Sequence, residues 1–320
     1  MYIVYMALLK DSSMHHWVYK YLPKAIIPYA QLARLDRPIG WQLLLWPCLV
    51  SLLLALLSPI GIGSSIKKAI YYAILFFIGA IAMRGAGCTL NDIVDINIDK
   101  KVDRTKQRPL ANGTISRLFA IIFMLLQCFI GLIILLQFNF LTIYIAFASI
   151  FFIIIYPYMK RITYWPQLFL GIVFNWGCFL GWASLKANMN WCLLWLYLGF
   201  ICWTIGYDTI YAYQDIEDDV KVGIGSTALL FKDKVYIALP IFYSLFIAFI
   251  LISFYMAKIS YIAYIGVFCS ICHLIWQIKV LDISSPKICL KLFKSNSQVG
   301  LLICSGLLLG YGYNVFMCQL

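Results

Sequence analysis

Apolar residues run in long unbroken stretches along this chain of 320 residues, and the polar ones are gathered into the gaps between them. Nine stretches stand out, at 39–57, 69–90, 115–136, 140–158, 166–185, 190–212, 235–256, 259–281 and 298–319. Each is close to the ~20 residues that an α-helix needs to cross the hydrocarbon of a bilayer. A transmembrane barrel would instead show short segments of alternating polarity. The pattern predicts an all-α polytopic membrane protein, a bundle of about nine transmembrane helices. No soluble domain, low-complexity linker or clear tandem repeat interrupts it. Residues 1–30 read as an N-terminal cytoplasmic segment and 31–320 as a single transmembrane domain.

Composition agrees with this: 63% of residues are hydrophobic and 12% charged, with a mean hydropathy of +0.89. Basic residues give the orientation. Twenty Lys and Arg fall on the N-terminal tail and the loops of its side, four on the opposite loops, and Arg84 inside the second stretch. Basic loops stay in the cytoplasm, so the N-terminus is expected there and the C-terminus outside. Topogenic loops and an anionic lipid surface account for most of the +12 net charge, and nucleic acid is not implied. The first 25 residues are polar and aromatic, with Asp11, His15 and His16, so no cleavable signal peptide is evident. They are not rich in Arg and Ser either, which favours a bacterial inner membrane over a mitochondrial one. Eleven cysteines are scattered along the helices, and Cys269-x-x-Cys272 lies inside the eighth stretch, so these read as buried apolar thiols. The three histidines form no ligand spacing, which argues against zinc. Gly177-x-x-x-Gly181 reads as close helix packing.

The acidic residues change the picture. All 13 lie on the cytoplasmic side or at the cytoplasmic ends of helices, and nine fall in two clusters. Asp92, Asp95, Asp99 and Asp103 follow the second stretch; Asp208, Asp215, Glu217, Asp218 and Asp219 end the sixth. Asn91, Asp95 and Asp99 are spaced i, i+4, i+8; Asp208, Asp215 and Asp219 are spaced i, i+7, i+11, with Tyr211 on the same side. Carboxylates stacked on one helix face repel one another unless a cation intervenes. One such cluster reads as a solvated cap. Two, with Arg104, Lys106, Arg108 and Lys221 near, describe a site for a diphosphate bridged by a hard ion, Mg²⁺ above all.

The same residues resemble a family. Asn91-Asp92-x-x-Asp95-x-x-x-Asp99 followed by Arg104-Thr105-x-x-Arg108-Pro109-Leu110 is similar to the first signature of the UbiA family of intramembrane aromatic prenyltransferases. "YDTIYAYQDIEDDVKVGIGSTALLF" (207–231) is similar to its second. "RLDRPIGWQLLLWP" (34–47), "YPYMKRITYWPQLFLG" (156–171) and "LKLFKSNSQVG" (290–300) resemble its 4-hydroxybenzoate polyprenyltransferase branch, so the likeness covers roughly 31–310. One departure is Gly225, where the branch usually has Lys.

The resemblance implies nine helices around a central cavity, capped by cytoplasmic loops. It implies a transferase that moves a polyprenyl group from polyprenyl diphosphate to 4-hydroxybenzoate, ortho to its hydroxyl, in ubiquinone biosynthesis. Asn91, Asp95 and Asp99 would hold one Mg²⁺, and Asp215 and Asp219 another, with Asp92 and Asp208 as supporting or alternate ligands. Arg104, Arg108, Lys160 and Lys221 would meet the diphosphate; Tyr156 and Lys160, spaced i, i+4, would face the cavity. Arg161 would take the acceptor's carboxylate. Lys160 and Arg161 also suit simple positive-inside anchors, as do Arg34 and Arg37. Arg84, about two turns from the Asp cluster, needs an anionic partner or a reach to the headgroups. Other acceptors (homogentisate, naphthoate, haem) remain open within the family. A cation-coupled transporter would instead put its acids near the bilayer midplane.

Overall fold

The structure is a computed structural model that describes residues 16–60, 65–102, 105–214, 216, 220–221 and 223–317. Among the described residues there is no strand, and nine helices are long and apolar enough to cross a membrane. These are, as first to ninth spans, Ile39–Leu57, Ile66–Asp99, Arg117–Leu135, Phe140–Met159, Pro166–Lys186, Cys192–Ala212, Thr227–Met256, Tyr261–Val280 and Pro286–Met317. Caps mark several starts: Ser116 accepts from the Phe119 amide, Asn139 from Thr142 and Ser226 from Leu229. This is an integral membrane protein of all-α class.

Consecutive spans pack side by side, and the ninth returns to the first, closing a ring. The first span also lies against the second half of the fifth, and the ninth against the sixth. Burial follows: 72% of the sixth span's apolar window is inside the protein, against 11% for the third and fourth. The third and fourth spans therefore owe their apolar character to lipid, the sixth to neighbouring helices. Gly177 and Gly181 bring the fifth span onto the first, since a Cβ at Gly181 would run into the Cys48 carbonyl and Leu52 amide.

Several spans depart from the apolar stretches; the seventh begins at Thr227 rather than 235. The second continues without a break to Asp99, a helix of 34 residues that is about 51 Å long. It thus outreaches the ~30 Å of hydrocarbon, and its last turns carry the first acidic cluster. Likewise the ninth begins at Pro286 rather than near 298. The fifth is broken at Asn175–Trp176, where the Asn175 side chain donates to Gly171 O and Thr204 Oγ1, both at 2.8 Å. The Asn175 backbone amide still reaches Gly171 O at 3.2 Å, but Ile172 O, which Trp176 would need to continue the helix, accepts from Tyr197 Oη at 2.9 Å instead.

Ahead of the first span, the short helices Trp17–Tyr21 and Ile27–Leu32 fold onto the charged end of the bundle. Tyr19 Oη donates to Asp36 at 3.0 Å, and the Ile27–Leu32 helix rests on the second span.

Candidate active site

A cavity of about 330 Å³ opens at the charged end of the ring. The second span sends Arg84, Cys88, Asn91, Asp92, Asp95 and Asp99 into its wall, one face of one helix. Tyr156, Pro157 and Lys160 come from the end of the fourth span, Tyr207, Asp208 and Tyr211 from the sixth, and Phe293 from the ninth. Leu43, Leu170 and Phe174 line the apolar part. Helical spacing thus put Tyr156 and Lys160 on a common cavity face, as it did Asn91, Asp95 and Asp99.

The three described acids of the first cluster are buried, at 1% exposure for Asp92, 4% for Asp95 and 5% for Asp99. Carboxylates so enclosed persist as ions only with cationic partners. Arg34 Nη2 donates to both oxygens of Asp92, at 2.7 and 2.9 Å, while its Nη1 is held by the Gln31 carbonyl at 2.8 Å. Arg108 bridges Asp92 (3.1 Å) and Asp99 (2.9 Å). Asp95 accepts from Lys160 and, at 3.0 Å, from Arg161. Burial alone would disfavour the charge on Arg34, yet Asp92 holds its pKa above the ordinary arginine value. Arg34 also sits at φ +56°, a left-handed conformation that costs about 1–2 kcal/mol in a residue with a Cβ; the double grip on Asp92 offsets it.

Deeper in the cavity stands Arg84. Its guanidinium lies 5.0 Å over the Phe174 ring, against Gly40, and its buried Nε has no hydrogen-bond partner. Of the two expectations for it, the reach to headgroups is not what occurs: it faces the cavity. A Cβ at Gly40 would strike Arg84 Nε at 2.6 Å, so the glycine of "RPIG" makes room for this arginine.

Other expected site residues fall elsewhere. Arg161 is at the rim, 40% exposed in its side chain, on Asp95 and the Val94 carbonyl, and is absent from the cavity lining. Lys221 is exposed and likewise off the lining. Arg104, Asp215 and Asp219 lie outside the described residues, as do Asp103, Glu217 and Asp218. Among the described residues no three Asp, Glu, His or Cys side chains converge to hold a metal unaided. Asn91, Asp95 and Asp99 nonetheless supply oxygen atoms alone to one wall. That set fits a hard ion which takes one or two protein carboxylates and completes its shell with water and phosphate. Gly225 lines the mouth and donates its N–H to Lys160 O at 2.8 Å. A Cβ there would collide with the Thr163 carbonyl, so the two loops close only with glycine at this position. Arg34 and Arg37 of "RLDRPIG", which also suited simple membrane anchors, line the cavity.

Fold and site together define a polytopic membrane protein with an acid- and arginine-lined cavity at one end of its helix ring. The chain belongs to the UbiA prenyltransferase family, whose sequence pattern matches residues 44–299. It is 45% identical over 306 residues to a mitochondrial 4-hydroxybenzoate polyprenyltransferase of Arabidopsis thaliana, covering 95% of this chain and 73% of that one. Over 303 residues it is 44% identical to 4-hydroxybenzoate geranyltransferase 2 of Lithospermum erythrorhizon, covering 94% and 96%. Its fold is that of the apo UbiA homolog from Aeropyrum pernix K1, with a TM-score of 0.69 at 24% identity over 83% of this chain and 96% of that one. A UbiA homolog from Archaeoglobus fulgidus, solved with GPP and Mg²⁺, superposes with a TM-score of 0.65 at 16% identity, covering 89% and 98%.

Proposed function

We propose that this protein transfers a polyprenyl group from polyprenyl diphosphate to the ring carbon of 4-hydroxybenzoate ortho to its hydroxyl. The product, 3-polyprenyl-4-hydroxybenzoate, enters ubiquinone synthesis. The observation that carries this reading is one cavity whose mouth gathers oxygen ligands and cations and whose apolar interior ends at Arg84. A diphosphate suits the mouth, and an aromatic carboxylate suits the interior.

In the reaction the C1–O bond of the donor breaks and its electron pair leaves with diphosphate. The ring carbon forms the new C–C bond and then loses its proton. Asn91, Asp95 and Asp99 would hold one Mg²⁺, and Asp215 and Asp219 a second. When bound, the metal supplies Lewis acidity to the departing diphosphate. Arg108 and Lys160 bring cationic donors to the same mouth, preorganised by Asp99 and Asp95. A bound diphosphate offers Lys160 and Arg161 a second anion to share. Arg104 and Lys221 stay in the reading as outer contacts to the diphosphate. Asp92, paired to the buried Arg34 and to Arg108, would keep a supporting role, whereas Lys160 and Arg161, the partners of Asp95, are 27% and 40% exposed in their side chains and freer to turn to a ligand. We assign the acceptor's carboxylate to Arg84 in place of Arg161, because Arg84 lines the cavity with an unmade hydrogen bond.

Basic loops put the cavity mouth on the cytoplasmic or matrix side. Relatives named mitochondrial weigh against the bacterial preference drawn from the N-terminus. The test is prenyl transfer to radiolabelled 4-hydroxybenzoate in membranes expressing the chain, with and without Mg²⁺. Product formed only with Mg²⁺ supports the reading; folded protein that prenylates homogentisate or a naphthoate instead refutes the acceptor.

A further inference from the structure

The stretch "LKLFKSNSQVG" has no role in the chemistry above, yet it holds an unusual polar arrangement. Successive residues of a helix point about 100° apart, so Ser295, Asn296 and Ser297 face three directions. Each meets a different helix. Trp203 Nε1 of the sixth span donates to Asn296 Oδ1 at 2.8 Å. Trp46 Nε1 of the first span donates to Ser297 Oγ at 3.2 Å. Gln277 Nε2 of the eighth span donates to Ser295 Oγ at 2.8 Å, and Tyr243 Oη of the seventh donates to Gln277 Oε1 at 2.7 Å. Asn296 is wholly buried, and its amide also donates to Leu292 O at 3.0 Å.

Polar bonds in an apolar bundle fix rotation as well as contact, because a turned helix would leave each group unsatisfied. One turn before Asn296 stands Phe293, whose ring lies 4.4 Å from Tyr211 and 5.9 Å from Tyr207. All three rings line the cavity beside Asp208. Trp203, the partner of Asn296, in turn packs edge-on to Tyr207 at 5.0 Å. The wall and its anchor are therefore one unit.

We propose that Phe293 is a specificity-determining residue for the aromatic acceptor and that Asn296 is its positioning residue. The Asn296–Trp203 bond sets the rotation of the ninth span, seating Phe293 on Tyr207 and Tyr211 and so fixing the width of the cavity there. This rests on the reading of the cavity as the acceptor's site.

Steady-state kinetics with both substrates varied tests it. Asn296→Leu keeps the branched shape and removes the bond; the acceptor KM rises roughly tenfold, the scale of one buried hydrogen bond left half-made. The prenyl diphosphate KM shifts less than the acceptor KM, because Asn91, Asp95, Arg108 and Lys160, which would meet that substrate, stand on other elements of the cavity wall. Trp203→Phe gives the same split, and the double variant is no worse than either single one. Phe293→Leu raises relative kcat/KM for a two-ring hydroxynaphthoate over 4-hydroxybenzoate roughly tenfold, the scale of a changed apolar contact. Unchanged acceptor KM in Asn296→Leu with unchanged selectivity in Phe293→Leu would overturn the proposal. So would equal loss of both KM values alongside a lowered melting temperature, which marks general loosening. A wild type that ignores 4-hydroxybenzoate but prenylates another acceptor refutes the substrate reading alone, and the variant-to-wild-type ratios on that acceptor then decide this one.

Discussion

Two arginines face the same cavity and are held in opposite ways. Arg34, at the mouth, spends both its terminal nitrogens on Asp92 and the Gln31 and Leu32 carbonyls. Arg84, deeper, rests on an aromatic face with its Nε unbonded. The mouth is a closed network in which every described acid of the first cluster meets a cation before any ligand arrives. The interior keeps one cation in reserve. A network already satisfied fixes geometry and favours a bound metal and diphosphate through preorganisation. An unsatisfied buried donor favours whatever anion fits the space.

The comparison can be broken at its mouth first. Asp95→Ala removes a proposed oxygen ligand and the partner of Lys160 and Arg161 together; transfer should fall on the order of 10²–10³-fold, the scale of one preorganised transition-state contact. Arg34→Ala leaves Asp92 with Arg108 alone and should cost about 3 kcal/mol, the low end for halving a buried ion pair. Thermal unfolding in detergent reads this, and Asp92→Leu added to Arg34→Met should recover most of it. Arg84→Ala should leave unfolding near wild type while the acceptor KM rises about 10- to 100-fold, as for one lost hydrogen bond to a charged group. Arg161→Ala, an exposed pair, should change stability by under about 1 kcal/mol. It should leave the acceptor KM close to wild type.

The nine spans were legible because lipid demands apolar helices of a set length whatever they pack against. Their ends were not, for the same reason. Asp92, Asp95 and Asp99 continue the second helix beyond residue 90 because Arg34, Arg108, Lys160 and Arg161 neutralise them there, and three of these four arrive from distant sequence. The break at Asn175 was hidden by the apolar run around it; its partners, Thr204 and the Tyr197 that takes Ile172 O, come from the next span. At the site, the i, i+4 spacing marked the right cavity face for Asn91, Asp95, Asp99, Tyr156 and Lys160. It could not show that Asp92 pairs with Arg34, which stands 58 residues earlier. Nor could it tell that Arg84 turns inward, which depends on the gap left by Gly40.

The most direct test of the division between mouth and interior is a kinetic comparison of wild type and Arg84→Ala with two acceptors. These are 4-hydroxybenzoate and a phenol of equal size lacking the carboxylate, each run against varied prenyl diphosphate. The account predicts that wild type strongly prefers the carboxylate, that Arg84→Ala loses this preference, and that the prenyl diphosphate KM is the same in both proteins. A variant that keeps the preference, or that weakens both substrates equally, would contradict it.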